Sequence, residues 1–87
     1  IKRCYVQEMR IAGDISGDML LTFVIHKGKV NGVKVTSNST GSERLATCVH
    51  RKVKQFQFPH LKKGGVWELI LLLELHWGLH LSFLINI

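Results

Sequence analysis

Apolar residues at the start of the chain recur at helical spacing: Ile1, Cys4, Tyr5, Met9 and Ala12 share one stripe, and Lys2, Arg3, Gln7 and Arg10 fall opposite. This pattern predicts a short amphipathic helix ended by Gly13. Gly13 and Gly17 bracket a polar turn, Asp14-Ile15-Ser16, after which Met19, Leu21, Phe23 and Ile25 alternate with Leu20, Thr22 and Val24. A period of two is that of a strand, and Leu20 and Val24 keep its second face from being fully wet. Lys27-Gly28 is a minimal loop into a second strand, Lys29 to Ser37, carried by Val30, Val33 and Val35, so the two segments form a hairpin. Val30 to Val33 breaks the alternation; a bulge near Asn31-Gly32 restores the phase, because glycine accepts the backbone angles a bulge needs.

Beyond the solvated stretch Ser37 to Gly41, the spacing of Thr40 and Glu43 predicts a capping box opening a second helix. Its stripe holds Leu45, Cys48, Val49, Val53 and Phe56, with Arg44, His50, Arg51 and Lys54 away from it, and Pro59 stops it, forcing Phe58 towards an extended conformation. A basic loop, His60 to Gly65, follows. From Trp67 to Ile87 every odd-numbered residue is apolar, whereas the even positions include Glu68, Glu74, His76, Gly78, His80, Ser82 and Asn86. As one strand this segment would reach about 70 Å, too long for a small domain, so it must bend or break near Gly78. A membrane helix over Leu69 to Ile87 is long enough, but Glu74, two histidines, an asparagine and the period of two oppose it.

At 87 residues the chain is one domain with a thin core. That makes the two cysteines important. Cys4 and Cys48 lie on the inward stripes of separate helices, and two helices packed on one sheet bring them face to face. A disulfide there closes a loop worth roughly 4 kcal/mol of chain entropy and reports an oxidising compartment; the simpler alternative is two buried free thiols. Net charge is +6, which suits nucleic acid, an anionic membrane or an acidic partner without choosing among them. The chain opens at Ile1 already inside a helical pattern, with no signal peptide, and reads as a domain cut from something longer or a mature fragment whose membrane anchor lies outside this segment.

The order helix, strand, strand, helix, strand carries several specific strings: Ile1-Lys2-Arg3-Cys4-Tyr5, Gly17 through Ile25, Gly28-Lys29-Val30, and Cys48-Val49-His50-Arg51-Lys52-Val53-Lys54-Gln55-Phe56-Gln57-Phe58-Pro59. Together they resemble the TonB-like C-terminal domains, the AgmX/PglI C-terminal type above all, over residues 1–73. The resemblance implies a non-enzymatic periplasmic module at the end of an inner-membrane-anchored, proton-motive-force-linked protein. Its implied partner is an extended peptide of an outer-membrane or gliding-motility component of the cell envelope. Two features depart from the family: a shorter hairpin loop, and a C-terminus that runs well past the usual last strand. Residues 74–87 therefore stand as a C-terminal β extension.

The expected fold is α+β, with αββαβ order and two helices on one face of a small three-stranded antiparallel sheet. Such a sheet has two edges, and the strand Val66, Trp67, Glu68, Leu69, Ile70, Leu71, Leu72 and Leu73 is the candidate to receive a partner by strand addition. The alternating tail also suits a strand-swapped homodimer. Arg44, Arg51, Lys52, Lys54, Lys62 and Lys63 form a basic face, with His50 beside it. Its simplest reading is a solvated surface; a nucleic-acid-binding domain is the alternative function, although Phe56 and Phe58 read as packing residues, not as stacking platforms. No cofactor or metal is expected, since the five histidines lack ligand spacing: His76 and His80 lie four apart in a strand, some 13 Å from each other. Cys48 and His50, the nearest approach to a nucleophile and base, sit two apart on a helix and so point to different sides. The chain is not expected to be an enzyme.

Overall fold

The computed structural model describes residues 1–58, 66–75 and 78–86. Six elements follow one another: α1 (Lys2–Ala12), β1 (Gly17–His26), β2 (Lys29–Asn38), α2 (Glu43–Lys54), β3 (Val66–Leu75) and β4 (Leu79–Asn86). The strands form one antiparallel sheet in the order β2-β1-β3-β4. The odd positions of the two inner strands, Met19, Leu21, Phe23 and Ile25 with Leu69, Leu71, Leu73 and Leu75, are buried against Leu45, Ala46, Val49 and Val53 of α2 and Cys4 of α1. Both helices therefore cover one face of the sheet, as the stripes predict. Truncating Phe23, fully buried and stacked on Phe58 with ring centroids 6.3 Å apart, removes the largest side chain of this core. Phe23→Ala is expected to lower unfolding stability by about 3–5 kcal/mol, read from a urea transition at unchanged slope.

The hairpin follows its local chemistry. Lys27 and Gly28 both have positive φ, 53° and 79°, the combination that lets a two-residue loop match the twist of the strands it joins. Phe23 pairs with Val33 and Val24 with Asn31, so Gly32 is the extra residue and Val30, Val33 and Val35 stay in phase under the helices. A second shift, between Leu20 and Leu21, leaves Thr36 as an extra residue whose hydroxyl donates to the Leu20 carbonyl at 3.2 Å. Nothing in the alternation pattern announces it. At the start of β1, Gly17 has φ 129°, and an added Cβ would stand 2.8 Å from the Ser39 carbonyl oxygen. Ser39 in turn donates its N–H to the Asp18 carbonyl at 2.8 Å. Gly17→Ala is expected to cost about 2 kcal/mol by thermal unfolding, since both strain and a backbone clash act at this site.

Three expectations about α2 need correction. Its cap is Ser42, whose hydroxyl accepts from the Leu45 N–H at 3.0 Å; Thr40 instead binds the Asn38 side chain, so the Thr40–Glu43 box does not form. A helix starting one residue after Ser42 leaves Thr40 outside its first turn. The helix also stops at Lys54, well before Pro59, which lies outside the described residues. The chain then extends so that Gln57 bridges to Lys29 and the Phe58 N–H donates to the Gly28 carbonyl at 2.7 Å. Phe56 is consequently not a helix-stripe residue, although it still packs on the core and meets Phe58 edge-on.

The C-terminal half departs furthest from the expected three-stranded αββαβ arrangement. β3 pairs with β1 from Gly17↔Leu75 to His26↔Val66, and with β4 from Glu68↔Asn86 to Leu75↔Leu79. The order is thus αββαββ with four strands. A boundary at residues 73 and 74 falls inside β3, and the alternating tail is the fourth strand, turning near Gly78 as its length demands. The membrane-helix alternative is excluded because Leu69–Asn86 spans two strands, and no helix among the described residues is long and apolar enough to cross a membrane.

Candidate protein-binding edges and the stapled helix pair

Cys4 and Cys48 form a disulfide with Cα atoms 5.7 Å apart, tying α1 to α2 as the two stripes require. Beside it lies a feature that the helical stripe concealed. Glu8 stands one turn beyond Cys4, on the apolar side of α1, and is only 3% exposed. Its carboxylate meets the Arg44 Nε at 3.1 Å, so an ion pair runs parallel to the disulfide between the helices. A charged residue at a stripe position was the available signal, because a buried carboxylate demands a partner. Arg44 is 61% exposed and water shares its charge, yet removing it strands Glu8. Arg44→Ala is expected to cost about 2 kcal/mol in chemical unfolding, whereas Arg51→Ala, an exposed cation, stays within roughly 0.5 kcal/mol of wild type.

The basic face is thereby reduced. Arg44 is committed to Glu8, Arg51 and Lys54 are exposed, Lys52 is half-buried, and Lys62 and Lys63 lie outside the described residues. His50 does not point away from the fold: its Nε2 lies 3.0 Å from the Val33 carbonyl, and because a carbonyl only accepts, Nε2 carries the proton. With Cys48 in the disulfide and His50 on Val33, the Cys48–His50 pair is not assembled as nucleophile and base. Among the described residues no three His, Cys, Asp or Glu side chains converge on a metal position; His60 and His76 lie outside them.

Most of the segment Val66 to Leu73 is not an edge. All of it pairs with β1, and Glu68 to Leu73 also pair with β4, because the tail supplies their second neighbour. The edges are β2 and β4. They are managed differently. β2 is engaged by Gln57 bridging to Lys29 and by His50 on the Val33 carbonyl, and at its end the Asn38 amide donates to the Ser42 carbonyl at 3.2 Å. Beyond β4 no strand lies among the described residues. No protein-family model, curated protein or solved structure matches the chain.

Proposed function

We propose that the chain is a non-enzymatic protein-interaction and force-transmitting domain of the TonB-like, AgmX/PglI type. In this reading it works in the periplasm at the end of an inner-membrane-anchored protein and takes an extended segment of an envelope partner by strand addition. The observation that supports it most is the asymmetry of the two edges. β2 is met at two points, by Gln57 at Lys29 and by His50 at the Val33 carbonyl, while β4 offers a row of main-chain groups with no neighbouring strand among the described residues. The receiving strand is therefore β4 instead of residues 66–73. The disulfide suits an oxidising compartment.

Panning the oxidised chain against a phage-displayed peptide library tests the mode of binding. Selected peptides are expected to protect β4 amides from hydrogen exchange. Proline at Ser82 and proline at Phe83 should differ, since alternate residues of a strand aim their N–H groups to opposite sides. One of them loses the peptide with the fold intact; the other weakens the ladder to β3. Peptides that protect α2 alone would reject strand addition. Intact mass after alkylation of protein recovered without reductant tests the compartment: two modified thiols would refute the periplasmic assignment.

A further inference from the structure

The open face of the sheet has a composition unlike the rest of the chain. Leu20, Thr22, Val24, Ile70 and Leu72 are half-buried on the side away from the helices, and none belongs to the core beneath them. Asp18 and Glu74, in register with each other, bound this strip at one end, and Glu68, in register with Val24, bounds it at the other. Half of the chain's six acidic residues thus sit on β1 and β3, two strands that carry no lysine or arginine. Among the described residues, Lys29 and Lys34 stand on the neighbouring β2 opposite His26 and Thr22, and His80 of β4 pairs with Glu74. An acid-bounded apolar strip repels anionic lipid and phosphate backbones and matches a basic surface with an apolar centre.

The outer side of α1 is such a surface. Lys2, Arg3, Gln7 and Arg10 are exposed around a shallow hollow that includes the half-buried Val6. Ile11, 60% exposed, is a large apolar side chain left in solvent. Glu8, the only acid of α1, is turned inward onto Arg44, so nothing on the helix offsets its cations. A single exposed isoleucine needs no explanation; one on the same helix side as Arg3 and Arg10, in a chain that also carries an acid-bounded apolar strip, has a complement.

We propose that α1 of one copy docks across the β1–β3 face of the next, with Val6 and Ile11 over Leu20, Val24, Ile70 and Leu72, and with Arg3 and Arg10 towards Glu68 and Glu74. Arg3 and Arg10 are two turns apart, about 10 Å along the axis, and their long side chains widen that span towards the roughly 20 Å between Glu68 and Glu74 along β3. Each copy uses two different surfaces, so the contact is heterologous and propagates instead of closing as a dimer. Each sheet is then covered on both faces, the arrangement that layered domains favour.

Sedimentation velocity of the oxidised chain across a concentration series is the test. The wild type is expected to associate progressively. Glu68→Lys with Glu74→Lys, and separately Arg3→Glu with Arg10→Glu, should each weaken association by about tenfold or more, and mixing the two double variants should restore it. Ile11→Glu, at a solvent-exposed position, should weaken it likewise while leaving the far-ultraviolet circular dichroism unchanged. A wild type that stays monomeric, association indifferent to both charge reversals, or a mixture that fails to recover would each overturn the proposal.

Discussion

Removing the Cys4–Cys48 bond, by reduction or as Cys4→Ala with Cys48→Ala, is expected to lower unfolding stability by about 4 kcal/mol. The bond spans 44 residues, and cross-linking a loop of that length removes about this much entropy from the unfolded ensemble. An ordinary small domain has a net stability of only about 5–15 kcal/mol, so the bond supplies roughly a quarter or more of it. The loss should be uneven. Among fully buried residues, α1 contributes Cys4 and Glu8 alone, so the disulfide and the Glu8–Arg44 pair are its principal ties, with Ile1 and Tyr5 packing only partly. Alanine is chosen over serine to avoid burying a new hydroxyl. Paired urea transitions with and without reductant measure the total, and amide exchange of the reduced protein should show α1 opening before the sheet. A difference below about 1 kcal/mol, with α1 still protected, would mean that helix packing alone holds the pair together.

A chain ending at Leu75 is expected to lose more than the roughly 5 kcal/mol that a marginal domain possesses, and to be recovered unfolded or aggregated. β4 pairs with β3 over eight positions, and its first residue, Leu79, packs against the core. Without it β3 becomes an edge, and one flank of Leu69, Leu71, Leu73 and Leu75, now between 0 and 4% exposed, loses its neighbouring strand. Each such leucine gains about 1.5–3 kcal/mol from full burial, so uncovering even part of all four is severe. The exposed edge would then template association. Size exclusion and far-ultraviolet circular dichroism decide the matter: a truncated chain that elutes as a folded monomer would return residues 76–87 to the status of an appendage.

These two results bear on how the fold was written in the chain. Element types were legible because periodicity is a local property: the stripe of α1, the alternation of β1 and the apolar odd positions from Trp67 onward need no knowledge of neighbours. The break of phase between Val30 and Val33 likewise placed one bulge at Gly32. The bulge at Thr36 was silent, since it falls where β2 turns polar and no buried residue marks the register. The capping box was misplaced by two residues because Thr40 and Ser42 both precede the helix, and only the backbone's path selects Ser42 as the acceptor for Leu45.

By itself the sequence determined the helices, the two sheet-forming regions and the hairpin, and it turned Cys4 and Cys48 inward towards each other, because each follows from which face of an element is apolar. The bond itself, as against two free thiols, came with the structure. Only the tertiary structure decided that the tail is a strand of the sheet and not an extension, so that β3 is interior and the edges are β2 and β4. It also decided that Glu8 and Arg44 answer each other and that His50 engages Val33. The physical reason is common to all of these. A pattern of apolar residues states which side of an element is buried, whereas strand neighbours, ion-pair partners and free edges depend on contacts between residues far apart in the chain, which periodicity does not encode.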